Sequence, residues 1–130
     1  MFCGDALGAY FSEIDVIFAC PIPGSDPFLC LQSMEKLQEL KPEIVFYSHG
    51  SATRDAIKII QSVIDVARQC QAAAFESLKA NEDRKEVAHR IAEIMAGGSA
   101  LAKAELFDWP YLVPLTVEGY RQYFKKNNII

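Results

Sequence analysis

One stretch constrains this chain more than any other. From residue 53 to 79 there is neither glycine nor proline, and apolar side chains recur at Ile57, Ile60, Ile64, Ala67, Ala74, Phe75 and Leu78. Intervals of three, four and seven place them on one face of a helix. At 1.5 Å per residue, that helix is a rod on the order of 40 Å long. Ser51 or Thr53 is positioned to cap it. Asn81 opens a further helix, with Glu82 and Asp83 in its first turn and Val87, Ile91, Ile94 and Met95 on one face. Gly97-Gly98-Ser99 ends that helix, a short helix is expected over 99 to 106, and Trp109-Pro110 makes a corner. Thr116 is then expected to cap a last helix running through Lys125. No internal repeat is visible.

The first third reads differently. Between Tyr10 and Cys20 lie Phe11, Ile14, Val16, Ile17 and Phe18, which suit one or two short strands. Pro21-Ile22-Pro23-Gly24-Ser25 forbids regular structure and marks a loop of fixed shape. Asp26 followed by Pro27 is a helix start: the carboxylate caps, and proline at the first position loses no needed N–H. Phe28, Leu31, Met34 and Leu37/Leu40 continue at helical spacing until Lys41-Pro42 stops them. Glu43-Ile44-Val45-Phe46-Tyr47 is a continuous apolar run of strand length, expected to be buried on both faces of a layered α/β structure. Strand, helix and strand thus precede a nearly all-helical remainder.

Composition narrows the functional classes. With 130 residues the chain lies within the range of a single domain. Thirteen basic against 17 acidic residues give a net charge of −4, the wrong sign for displacing counterions from a nucleic acid. The Lys125-Lys126 cluster, with Arg121 before it, reads as a solvated last helical turn favoured by the helix dipole. No apolar run approaches the roughly 20 residues that span a bilayer, and Met1-Phe2-Cys3-Gly4-Asp5 is not a secretory signal. Neither nucleic acid nor membrane is an expected partner. Cys3, Cys20, Cys30 and Cys70 are irregularly spaced with no C-x-x-C pair, so four reduced thiols in a cytoplasmic protein are expected. Cys30 and Cys70 fall in helical patterns, as small hydrophobes do.

Two places can carry chemistry. Asp5 lies between Gly4 and Ala6-Leu7-Gly8, where a carboxylate commonly bonds its own turn. His49 lies between a buried-type strand and a helix start, where a histidine often does no more than cap or fill a loop. The C-terminal end of a strand is nevertheless where α/β folds gather functional groups, and Gly50 lends the backbone freedom to aim the imidazole. Taken together, one carboxylate and one neutral imidazole are ligand types that suit zinc, iron or manganese.

Phe2-Cys3-Gly4-Asp5-Ala6-Leu7-Gly8 and Ile44-Val45-Phe46-Tyr47-Ser48-His49-Gly50 resemble the last two metal-ligand segments of the metallo-β-lactamase superfamily. The proline-rich loop and the Ser33-to-Pro42 helix between them look like the same family's metallohydrolases. The later helices and Pro114-Leu115-Thr116-Val117-Glu118-Gly119-Tyr120 resemble a C-terminal extension that some members carry. The resemblance implies an αββα sandwich with a one- or two-metal site at one edge. The aspartate matching Asp5 would bridge two metals and the histidine matching His49 would bind the second. A metal-bound hydroxide would attack an ester, thioester, amide or phosphodiester, the metals stabilising the oxyanion.

The chain departs from that pattern in what it lacks. The family's H-x-H-x-D-H segment and one further histidine have no counterpart, and His89, in Lys85-Glu86-Val87-Ala88-His89-Arg90, reads as a solvated surface residue. Asp5 and His49 are two ligands where a catalytic zinc ordinarily takes three. The expectation is therefore an α+β chain forming one partial domain: the C-terminal half of the sandwich, its strands and helix over 1–52, and the long helix and helical extension over 53–130. It would be a truncated or processed chain, or one that completes its site with another polypeptide. Its partner would be the missing N-terminal half or a second copy meeting the open sheet edge, with a small-molecule substrate; Pro21 to Ser25 and residues 107 to 116 are the segments placed to line the cleft. The competing expectation is a non-catalytic, α-rich interaction module that retains Asp5 and His49 as structural residues. A cysteine nucleophile paired with His49 would have only Cys3 in a suitable turn, with no orienting third residue.

Overall fold

The computed structural model describes residues 1–14, 16–18, 21–97, 99 and 111–130 of the chain. They form a mixed α+β structure. Strands β1 (Phe2–Gly4), β2 (Ala9–Phe11) and β3 (Val16–Phe18) precede helix α1 (Pro27–Glu39). Strands β4 (Val45–Tyr47) and β5 (Ala52–Thr53) follow, then helices α2 (Ala56–Lys79), α3 (Arg84–Ala96) and α4 (Leu112–Lys126). No helix among the described residues is long and apolar enough to cross a membrane. The helix expected over 99 to 106 and the Trp109-Pro110 corner lie outside the described residues, save Ser99.

Strand β4 is the centre of a small sheet, paired parallel to β1 and antiparallel to β5. Strands β2 and β3 form a separate antiparallel hairpin in which Tyr10 faces Ile17. The β4 strand is not buried on both faces as its apolar run implies. Val45 is fully buried, whereas Phe46 points to the open face and stacks on Phe2 with ring centroids 4.8 Å apart. Among the described residues the core packs against the Val45 face of this sheet, so alternate residues of the run face solvent.

Local capping chemistry decides several boundaries. The Asp26 carboxylate accepts from the backbone N–H groups of Phe28 and Leu29, and Pro27 occupies the first position of α1. Gly97 closes α3 in the left-handed conformation with φ +56°. Three expected starts are corrected. Ser51 and Thr53 do not cap α2: Ala52 and Thr53 form β5, and α2 begins after Asp55. Asn81 does not open α3. It takes φ +55° in the turn after α2, and Asp83 caps α3 by accepting from Lys85 N–H. Thr116 sits inside α4, fully buried, and donates its hydroxyl to the Leu112 carbonyl one turn earlier, at 3.1 Å.

The long helix joins two apolar clusters. Its first half packs Ala56, Ile59, Ile60, Val63, Ile64 and Ala67 against Leu7, Ile17, Met34 and Val45 beneath the sheet. Its second half packs Cys70, Ala74 and Leu78 against Val87 and Ile91 of α3 and Tyr120 and Phe124 of α4. The buried stripe is rotated slightly from the expected one: Ile57 is 46% exposed, while Ile59 and Val63 are in the core. Cys3 and Cys70 are buried and Cys30 is half-buried, all three as free thiols.

On α4, Arg121 donates two hydrogen bonds to the Glu118 carboxylate, each 2.9 Å, and Arg84 of α3 lies 3.6 Å away. These donors hold the Glu118 carboxyl down to about 2 despite some opposing desolvation. A depressed folded-state value contributes stability above the unfolded carboxylate range and loses it as pH falls toward the folded value. Glu118→Gln should therefore flatten the fall in stability between about pH 4.5 and pH 2, with little change at pH 7. Urea midpoints measured across that range check it; an unchanged acid slope would contradict it.

Candidate functional site

The parallel pairing of β1 with β4 sets Gly4 opposite Tyr47, so both strands deliver their C-terminal ends to the same edge of the sheet. After β1 the chain turns at once. Gly4 and Gly8 both have positive φ, Ala6 N–H bonds the Cys3 carbonyl, and Gly8 N–H bonds the Asp5 carbonyl. Leu7 in the middle of that turn is fully buried, which pins the turn to the core and leaves Asp5 on its rim.

After β4 the chain is held by the hairpin. Gly50 has φ +102°, and a Cβ placed there would lie 2.0 Å from the Tyr10 carbonyl oxygen. That close approach forms a bridge between Tyr10 and Gly50, reinforced by Ser51 N–H to the Tyr10 carbonyl at 2.9 Å and a 2.7 Å bond between the Ser12 and Ser51 hydroxyls. His49 is thereby fixed one residue before a contact that only glycine permits.

The two candidate residues meet. His49 Nε2 lies 3.7 Å from Asp5 Oδ1, and both side chains are about three-quarters exposed, at 73% and 76%. The separation exceeds a hydrogen bond. A carboxylate oxygen and an imidazole nitrogen at this separation are donor types that would together hold one divalent ion. Both residues line a cleft of about 680 Å³ that runs beneath the hairpin to the Pro21–Ser25 loop and the start of α4.

The donor set stops there. Among the described residues, no group of three His, Cys, Asp or Glu side chains is placed to hold a metal ion. Cys3 is buried, with its sulfur 3.3 Å from the Phe46 carbonyl, and burial pushes its thiol up. Cys30 lines the cleft, and burial followed by the nearby Asp26 carboxylate raises its thiol too. Protonated thiols are neither good ligands nor good nucleophiles, so the cysteine chemistry weighed for Cys3 has no support. His89 lies on the exposed face of α3, 3.4 Å from Glu93. The described residues therefore fit two positions of a metal's shell, not a whole catalytic site.

Two of the segments expected at the cleft do line it: Pro21, Ile22 and Ser25 of the loop, and Leu112 from the 107 to 116 stretch, whose residues 107–110 lie outside the described residues. Phe11 of β2 and Phe18 of β3 are the wall residues that sequence patterns did not identify. Behind the loop, a Cβ on Gly119 of α4 would lie 2.7 Å from the Pro21 carbonyl oxygen and 3.0 Å from the Ile22 carbonyl carbon. One signal for that seat exists in the sequence: a glycine inside a helix costs about 1 kcal/mol relative to alanine and usually has a packing reason. Comparison of the chain with family models, with curated proteins and with solved structures gives no match.

Proposed function

We propose that this chain contributes a carboxylate and an imidazole to the site of a metal-dependent hydrolase, and that another polypeptide segment supplies the remaining ligands. The observation that carries this reading is the 3.7 Å approach of Asp5 and His49 at the ends of two parallel strands, over a common cleft. In this reading the β1–β4–β5 sheet and its covering helices are the C-terminal half of an αββα sandwich. The completing segment, or a second copy, meets the free edge of β1. A divalent ion, zinc or else iron or manganese, would supply Lewis-acid activation of water toward an ester, thioester, amide or phosphodiester. Asp5 contributes anionic oxygens and His49 a nitrogen ligand, both held at the cleft's rim by glycine-dependent turns.

Metal analysis tests the reading. Zinc should bind the 130 residues alone weakly, and Asp5→Asn or His49→Gln should each weaken it at least tenfold. Stoichiometric zinc or iron should appear when the chain is produced with the sequence upstream of it at the same locus. Tight stoichiometric binding by these residues alone, or binding indifferent to both substitutions, would overturn it. The second reading, a non-catalytic interaction module, is favoured by one feature: Phe2 is 85% exposed and stacked on Phe46 on the uncovered sheet face.

A further inference from the structure

The walls of the cleft carry information that the ligand pair does not. Phe11 of β2, Phe18 of β3, Pro21 and Ile22 of the loop and Leu112 of α4 make them largely apolar. Among the described residues that line the cleft there is no lysine or arginine, and Asp5 is the one carboxylate. Sites that act on phosphoryl groups gather arginine, lysine or backbone N–H donors around the anion in addition to any metal. Here a phosphodiester would meet aromatic rings and a carboxylate of its own sign. A volume of about 680 Å³ is of the size that small organic ligands occupy.

Resting on the hydrolase reading above, we infer that the cleft takes the uncharged acyl portion of an ester, thioester or amide and discriminates against phosphodiesters. The apolar wall orients the acyl chain so that its carbonyl lies toward the Asp5–His49 rim. Gly119 is a positioning residue in this arrangement, because its missing Cβ lets the Pro21–Ile22 peptide seat against α4 and bring that wall inward. Binding should strengthen roughly threefold to fourfold with each added methylene until the cleft is filled.

The test uses two probes with matched butyl-length arms, N-butylpentanamide and dibutyl phosphate, titrated into the metal-free ¹⁵N-labelled chain. The amide should shift the Gly8, Phe11 and Gly50 resonances, with the phosphate at least tenfold weaker. Ile22→Asp, at a position 58% exposed and so tolerant of charge, should weaken amide binding at least tenfold. Gly119→Ala should weaken it as well, while leaving zinc binding at Asp5 and His49 unchanged. Equal binding of the two probes, indifference to Ile22→Asp, or no shift with either probe would overturn the inference. Another segment packed into the cleft would give that last result. Amide binding that persists while zinc binding is missing would instead defeat the hydrolase reading and leave the acyl preference standing.

Discussion

Replacing Gly50 with alanine should lower the thermal midpoint by on the order of 10 °C and remove zinc binding at the Asp5–His49 pair. The new Cβ would fall 2.0 Å from the Tyr10 carbonyl oxygen and 2.8 Å from its carbon, and both are backbone atoms. A side chain could rotate away, but here the β2 strand itself must move. The φ of +102° adds strain of about 1–3 kcal/mol for an L-residue, and overpacking adds a similar amount; about 3 kcal/mol in all is a fair expectation. Gly24 supplies the control. Its φ is +90°, yet nothing lies within 4 Å of a Cβ there, so Gly24→Ala carries the backbone strain without the collision. The difference between the two melts isolates the cost of pushing the hairpin off the loop that holds His49. Equal melting of the two variants, with zinc binding retained in Gly50→Ala, would show that this contact does not position the histidine.

Features set by neighbouring residues were legible in the sequence. Asp26-Pro27 starts α1 because a carboxylate and a fixed φ act within one turn, and Gly97 ends α3 because it alone reaches the left-handed region cheaply. Features set across the chain were not. Thr116 has good capping chemistry, but it lies four residues inside α4, where burial of Val113, Val117 and Tyr120 against the other helices sets where the helix lies. Phe46 is as apolar as Val45; the strand's pleat sends the two to opposite faces, and the core's position against the Val45 face leaves Phe46 exposed. Asp5 and His49 each read locally as strand-end groups. Their approach follows from the parallel pairing of β1 with β4, a contact between segments more than 40 positions apart that no local pattern encodes. The cleft wall is legible only in part: the proline-rich loop and the stretch containing Leu112 were expected there, whereas the contributions of Phe11 and Phe18 follow from the hairpin's placement and the loop's seat from the absence of a Cβ at Gly119.

The largest loss of stability should come from Phe124→Ala, far from the candidate site. Phe124 is 1% exposed, with Tyr120 stacked at 5.9 Å, Phe75 of α2 edge-on at 5.9 Å and Tyr123 edge-on at 6.2 Å. Truncating a buried phenylalanine costs about 3–5 kcal/mol, and the loss of several ring–ring contacts places this one toward the upper end. Phe124→Leu keeps most of the volume and should cost about 1.5 kcal/mol or less. The distribution of the effect is as informative as its size. Helix α2 runs without interruption from Ala56 beneath the sheet to Lys79 beside α3 and α4, and supplies core residues to both clusters. Loosening the far cluster should therefore lower the single transition of the whole chain, and within each of Phe124→Ala and Ile60→Ala fluorescence and circular dichroism should report one coincident midpoint. Two separated transitions, with Phe124→Ala moving only one, would mean that α2 does not couple the layers and that the sheet carrying Asp5 and His49 unfolds independently of the helices behind it.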